Sequence, residues 1–163
     1  TLFPPQQIEN LYPGPLNPTP GGQVVSMVNF DEPDLSVHPK FRQALAVSQV
    51  AELDQGDALF IPSMWWHHVK GLSDFNILVN FWWNSVSYLH GIPMNAMMHS
   101  LLSIRDRPDH EKEAWKALFD YYIFSSPELA NSHLPKSARG LLEPLDEMQT
   151  RRLRAEITNK LNR

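Results

Sequence analysis

The stretch from Phe75 to Trp83 constrains the fold more than any other part of the sequence. Its odd-numbered positions are all apolar, while its even-numbered positions mix asparagine with apolar side chains. Because successive side chains of a strand point to opposite faces, this alternation predicts a strand with one continuous apolar face. It is the clearest strand that the sequence predicts.

Shorter strand patterns precede this stretch and are separated by turn residues. We predict extended segments over residues 24–30, 47–53, 58–61 and 65–70, with turns at residues 55–57 and 71–74. Short strands at this spacing are typical of an antiparallel sandwich or barrel. Residues 4–40 are rich in proline, glycine and asparagine, including Asn17-Pro18 and Pro20-Gly21-Gly22, and predict an irregular segment.

From about residue 88 the apolar side chains recur at intervals of three and four. Pro93 suits the first turn of a helix, and an apolar stripe follows it: Met94, Met97, Met98, Leu101 and Leu102. A second helix is predicted from about 106–108, its buried face formed by Trp115, Leu118, Phe119 and Tyr122. A third is predicted from Pro144 to Leu161, after a connector around Ser125 to Gly140.

This layout predicts an α+β fold with two parts. We expect a β-rich part over residues 1–87 and a helical region over residues 88–163. The apolar stripes of the helices motivate a further expectation, a homodimer formed through the helical region.

Composition limits which sites and partners the chain can have. The 163 residues include no cysteine, so a metal ion must be held by histidine, aspartate or glutamate. The net charge of −4 shows no basic footprint for nucleic acid, and no apolar run approaches the roughly 20 residues that cross a bilayer. We therefore expect neither nucleic acid nor membrane as a partner, and the composition is compatible with a cytoplasmic protein.

The motif Trp65-Trp66-His67-His68-Val69-Lys70 contains the candidate metal ligand. In a strand, Trp65, His67 and Val69 share one face and Trp66, His68 and Lys70 share the other. An unpaired lysine is costly to bury, so the face of His67 is expected to point inward and that of His68 outward. From this segment alone, a histidine that merely packs in the core explains the motif better than a metal ligand does.

The stretch from Gly56 to Val69, followed by Val79-Asn80-Phe81-Trp82, resembles the distal half of a JmjC or cupin-like oxygenase dependent on Fe(II) and 2-oxoglutarate. Within that family it is similar to the asparaginyl hydroxylase that inhibits hypoxia-inducible factor. The resemblance runs in order over about residues 1–84. It implies a partial double-stranded β-helix, the cupin or jelly-roll fold, of which this chain is the C-terminal half.

The resemblance also implies residue roles. His67 matches the distal histidine ligand of Fe(II), and Asn80 and Trp82 match positions beside the cosubstrate 2-oxoglutarate. His68 matches a neighbour that is not a ligand, and Trp65 and Trp66 are expected to support the site. Helices that follow the barrel in this family often form dimers, in agreement with the expectation above.

One part of the family pattern does not occur in the sequence. Non-haem Fe(II) oxygenases use two histidines and one carboxylate, yet none of the seven histidines has Asp or Glu two positions later. We therefore expect a fragment that is inactive alone and assign no catalytic residue and no substrate. Two alternatives stay open: a catalytically silent cupin that binds a ligand or a protein, and a cupin hydrolase or isomerase with another metal set.

Overall fold

The structure is a computed structural model that describes residues 1–16 and 23–162. Within these residues, its sheet is a short antiparallel ladder. It pairs β1 (Leu2–Phe3) with β2 (Trp66–His67), and Leu2 lies opposite His67. On the other edge of β1, Leu2 exchanges two backbone hydrogen bonds with Gln49, of 2.7 and 2.9 Å. Strand β1 is therefore the centre of a narrow ribbon whose outer member carries the Trp-Trp-His-His motif.

A small aromatic and aliphatic core lies against this ribbon. Its buried members are Phe3, Leu11, Val28, Phe41 and Ala44, with Tyr12, Phe30, Leu35 and Trp66 packed around them. Helix α1 (Phe41–Ala46) contributes Phe41 and Ala44, which are three residues apart and so share one helical face. The 3₁₀ helix Pro5–Leu11 begins with proline at its first position and delivers Leu11 to the same core.

Most of the predicted strands are absent from the described part of the chain, and those predictions were wrong. Among the described residues, the segment 47–53 pairs only through Gln49, and the segment 24–30 only through an isolated bridge between Ser26 and Pro13. Residues 58–61 and 75–83 join no sheet within residues 1–16 and 23–162. A strand exists only through hydrogen bonds to a neighbouring strand, and an alternating side-chain pattern does not supply that neighbour.

The irregular segment and the first turn were predicted more accurately. Gln55 and Gly56 form a turn, closed by the N–H of Asp57 donating to the carbonyl of Asp54 over 3.1 Å. Residues 4–40 are irregular where described, apart from the 3₁₀ helix. The turn residues expected at 17–22 lie outside the described residues.

Helices make up most of the regular structure after residue 88. The three longest are α2 (Pro93–Ser103), α3 (Asp109–Phe119) and α5 (Glu147–Leu161), which confirms the three predicted helices. The predicted connector contains a further helix, α4 (Pro127–Asn131). A π-helical turn, Asp120–Phe124, extends α3, and short 3₁₀ turns complete the region: Tyr88–His90, Lys136–Ala138 and Gly140–Leu142.

The apolar faces of these helices are largely exposed, against expectation. Met98 is 59% exposed and Leu102 82%, and on α3 Trp115 and Leu118 are 42% and 44% exposed. A predicted buried face needs a second element to cover it, which the periodicity alone does not identify. The expected homodimer stays a prediction.

By its internal contacts the chain divides into two units, Thr1–Val79 and Asn80–Arg163. The expected boundary at residue 87 stays a prediction. Within the described residues, no helix combines the length and the apolar character needed to cross a membrane.

Candidate functional site

The imidazole of His67 is exposed on the second residue of β2. Its Nδ1 atom lies 3.4 Å from the backbone carbonyl oxygen of Trp65. In the tautomer that carries the proton on Nδ1, that N–H can donate to this carbonyl and Nε2 keeps its lone pair. Histidines that bind metals commonly direct their second ring nitrogen to a carbonyl or carboxylate in this way.

The opposite face of the strand is covered. Trp66 is half-buried and packs against the core. The ring of His68, also half-buried, stacks on Phe30, with centroids 4.4 Å apart and an angle of 28° between the planes. The two neighbours of His67 in sequence are therefore both anchored, while His67 itself points to the other side.

An ion pair continues this face beyond the strand. The ammonium of Lys70 lies 2.7 Å from the carboxylate of Asp31. The hydrogen bond from Lys70, together with its positive charge, lowers the pKa of the Asp31 carboxyl below its usual value. Both side chains are more than half exposed, so the pair adds little to stability, but it ties residue 70 to the loop that carries Phe30.

These contacts test the pleat prediction in two ways. Trp66 packs on the core, and His68 and Lys70 both contact residues 30–31, which confirms that they share one face. The expected burial was wrong, because the face of His68 is the more covered one and His67 is exposed. Pleat geometry determines which residues share a face, whereas the loop around Phe30 determines which face is covered.

A strained turn leads into the motif. Met64 has a φ of 68°, a left-handed conformation that is uncommon for a residue other than glycine. The N–H of Trp65 donates to the carbonyl of Pro62 over 3.3 Å and closes this turn. Such conformations cost about 1–3 kcal/mol and are enriched at functional sites, and this one sets the direction in which the strand begins.

The other two predicted site residues belong to the second unit. Asn80 is its first residue, and both Asn80 and Trp82 are exposed, Trp82 to 81%. Their proposed place beside 2-oxoglutarate stays a prediction. Trp65 and Trp66 are both half-buried, which agrees with a supporting position for these two residues.

The described residues do not form a complete metal site. Within residues 1–16 and 23–162, no group of three or more histidines, aspartates and glutamates is arranged to hold a metal ion. His67 has the exposure and the ring geometry of one metal ligand. The described part of the chain can therefore supply one ligand to a metal ion, but not a complete set of ligands.

Two residues that contact the Trp-Trp-His-His-Val-Lys motif were not identified as site residues from the sequence. Phe30 and Asp31 lie 38 and 39 positions before their partners His68 and Lys70. The sequence indicated the contact between Asp31 and Lys70 only through their opposite charges. Because the chain has many other charged residues, opposite charge alone does not identify these two as partners.

Comparison with known proteins identifies the first part of the chain. A family model described as a cupin-like domain matches residues 1–88, more than half of the sequence. The lysine-specific demethylase JMJ31 of Arabidopsis thaliana is 37% identical over 92 residues, which cover 56% of this chain and 16% of that protein. No solved structure matches.

Other relatives share the same region. HSPB1-associated protein 1 of Homo sapiens is 36% identical over 81 residues, or 50% of this chain and 16% of the relative. Lysine-specific demethylase 8 of Xenopus tropicalis is 41% identical over 59 residues, or 36% of this chain and 13% of the relative. The matched region thus spans 13–16% of the length of these relatives. The narrower likeness to the asparaginyl hydroxylase stays a prediction.

Proposed function

The chain belongs to the cupin-like domain family of JmjC type, and from this premise we propose that it contributes one ligand to the Fe(II) site of a 2-oxoglutarate-dependent oxygenase. The observation that carries the proposal is the placement of His67. Its ring is exposed, and its Nδ1 faces the carbonyl of Trp65. In the Nδ1–H tautomer, Nε2 keeps the lone pair that would bind the metal ion.

A single imidazole does not hold Fe(II) usefully, because the affinity of a metal site depends on the number and geometry of its ligands. We propose that a histidine and a carboxylate outside residues 1–163 complete the triad. A basic residue, also outside them, would anchor the carboxylate of 2-oxoglutarate. This chain alone is then inactive. When bound, iron and the ketoacid supply the oxygen chemistry, and the protein supplies orientation and a dry cavity.

Within that division of labour, the residues of this chain have distinct tasks. His67 offers Nε2 to the metal ion, and the amide of Asn80 can hydrogen-bond to a carboxylate of 2-oxoglutarate. The ring of Trp82 can form an apolar wall that excludes water beside the cosubstrate. Both of these residues are exposed in the described structure, so they are free to face such a ligand.

The relatives suggest the type of reaction. Two of them are named lysine-specific demethylases. By that likeness, we propose hydroxylation of a C–H bond in a protein side chain, the reaction type that also underlies demethylation.

A catalytically silent cupin that binds a ligand or a protein is the second candidate. It is favoured by one observation, that the described part of the chain contains no group of three or more histidines, aspartates and glutamates that could hold a metal ion. It gives His67 no role at a metal and uses the exposed Trp82 and its neighbour Trp83 as a contact surface.

Turnover of 2-oxoglutarate separates the two candidates. Full-length protein containing these residues is supplied with Fe(II) and 2-oxoglutarate, and succinate is measured for wild type, His67→Ala and His90→Ala. His90 is the matched control, since it too is exposed with Nδ1 3.3 Å from a backbone carbonyl, that of Ser87. The oxygenase requires succinate from wild type and His90→Ala and loss of at least ~100-fold in His67→Ala. No succinate from wild type supports the silent cupin.

A further inference from the structure

We propose that Phe30 and Asp31 are positioning residues for His67, acting through the opposite face of the strand that carries it. This inference rests on the proposed function, because it concerns how that metal ligand is aimed. Neither residue approaches His67 as a donor or ligand. Their contacts are with His68 and Lys70, the residues one and three positions further along.

Phe30 forms a fixed surface because the core holds it from two sides. Its ring makes an edge-on contact with Phe3 at 5.9 Å and another with Phe41 at 6.1 Å, with interplanar angles of 77° and 88°. Both partners are buried, with 3% and 1% of their surface exposed. A ring locked by two buried aromatic rings cannot turn freely, so the stack on His68 is made against a rigid partner.

The stack completes a set of anchors around His67. The residue before His67, Trp66, lies opposite Phe3 in the ladder and packs against the core. The residue after His67 is His68. Its backbone exchanges two hydrogen bonds of 2.9 Å with Thr1, and its ring stacks on Phe30. With residues 66 and 68 fixed on one face, the Cα–Cβ direction of His67 on the other face is fixed as well.

Asp31 adds a tether outside the ladder. Strand β2 ends at His67, and the backbone beyond His68 has no ladder partner among the described residues. The contact between Asp31 and Lys70, at 2.7 Å, restrains the chain at this frayed end. The pair is exposed and contributes little to overall stability. We therefore expect it to affect the orientation of the backbone that carries His67.

Supporting partners of a metal ligand typically change metal affinity by about 10- to 100-fold. The test measures Mn(II) affinity of the full-length protein by electron paramagnetic resonance, with thermal midpoints recorded in parallel. The variants are Phe30→Ala, Phe30→Tyr, Asp31→Asn and His68→Phe. Glu9→Gln is the matched control, because it removes an exposed ion pair in the same unit whose partner is Lys40 and not a residue of the motif.

We expect Phe30→Ala to weaken Mn(II) binding about tenfold and Asp31→Asn to weaken it by a smaller factor. Phe30→Tyr and His68→Phe keep two stacked rings and should stay within about twofold of wild type. Glu9→Gln should leave the affinity unchanged. A purely structural role would move the thermal midpoint of Phe30→Ala without changing Mn(II) affinity, and that result would overturn the inference.

His67→Ala separates failure of this inference from failure of the proposed function. If wild type binds Mn(II), His67→Ala loses binding, and both Phe30→Ala and Asp31→Asn retain full affinity, only the positioning role is wrong. If His67→Ala binds as wild type does, or wild type does not bind Mn(II), the proposed function and the inference both fail.

Discussion

The hydroxyl oxygen of Tyr12 accepts a hydrogen bond of 2.9 Å from the backbone N–H of Lys40, although the two residues are 28 positions apart. Tyr12 itself has a φ of 48° and ends the first 3₁₀ helix, and its ring meets His38 edge-on at 4.8 Å. The contact thus joins the end of one helix to the start of α1, which begins at Phe41, and so helps to place the core.

Tyr12→Phe tests this link. Removing the hydroxyl leaves the N–H of Lys40 without its partner, and we expect the free energy of unfolding to fall by about 1 kcal/mol. Urea unfolding followed by tryptophan fluorescence measures the change. Tyr88→Phe, at a side chain 80% exposed, is the control and should change nothing. Equal stability of Tyr12→Phe and wild type would show that the hydrogen bond is not needed.

Asp34 makes stability depend on pH. Its carboxylate accepts hydrogen bonds from the hydroxyl and N–H of Ser36 and from the N–H of Val37, and the Ser36 hydroxyl is the largest cause of a lowered Asp34 pKa. Because the folded pKa lies below the unfolded value of about 3.9, the unfolded state binds the proton more readily. The contribution is present above pH about 4 and is lost as pH falls through the folded pKa.

Asp34→Asn keeps an acceptor but removes the titration. Urea midpoints at pH 7 and pH 3 should therefore differ less for Asp34→Asn than for wild type. An unchanged difference between the two pH values would mean that the lowered pKa of Asp34 contributes nothing to folding.

Gly56 occupies a turn that requires its backbone freedom. Its φ is 95°, a region where a Cβ atom is unfavourable, and it lies between Asp54 and Asp57, which close the turn. We expect Gly56→Ala to lower the free energy of unfolding by about 1–2 kcal/mol. Gln55→Ala, at the neighbouring turn position, should change it by less than about 0.5 kcal/mol. Equal effects of the two substitutions would contradict this account of the turn.

Helix α5 begins with a capping box. The Asp146 side chain accepts from the N–H of Gln149 over 2.7 Å, and the Gln149 side chain accepts from the N–H of Asp146 over 3.0 Å. Asp146→Ala should cost about 1 kcal/mol and reduce helix content. Circular dichroism during urea unfolding measures both. Asp106→Ala removes an exposed pair with Arg105 and no helix cap, so it is the control. An equal loss there would contradict the capping role.

Elements formed by interactions between residues close in sequence could be predicted, and elements that depend on residues distant in sequence could not. Helix α2 begins at Pro93 as predicted because helical hydrogen bonds and first-turn preferences are local. Residues 75–83 carry the clearest strand pattern yet join no sheet in the described chain. Their ladder would need a partner distant in sequence, and side chains such as Phe81, 82% exposed, do not specify one.

The candidate site shows the same division. The alternation of the pleat correctly grouped Trp66 with His68 and Lys70, because that grouping depends on the backbone alone. It could not show that Phe30 would cover this face, since Phe30 lies 38 positions away from His68 and is held there by core contacts with Phe3 and Phe41.

The choice of His67 over its neighbour is the central claim, and Mn(II) titration of the full-length protein, monitored by electron paramagnetic resonance, tests it most directly. The variants compared are His67→Ala, which removes Nε2, and His68→Phe, which removes an imidazole but keeps a ring on Phe30. We predict that His67→Ala weakens binding at least ~100-fold and that His68→Phe stays within about twofold of wild type. Full affinity in His67→Ala, or loss in His68→Phe alone, would contradict the claim.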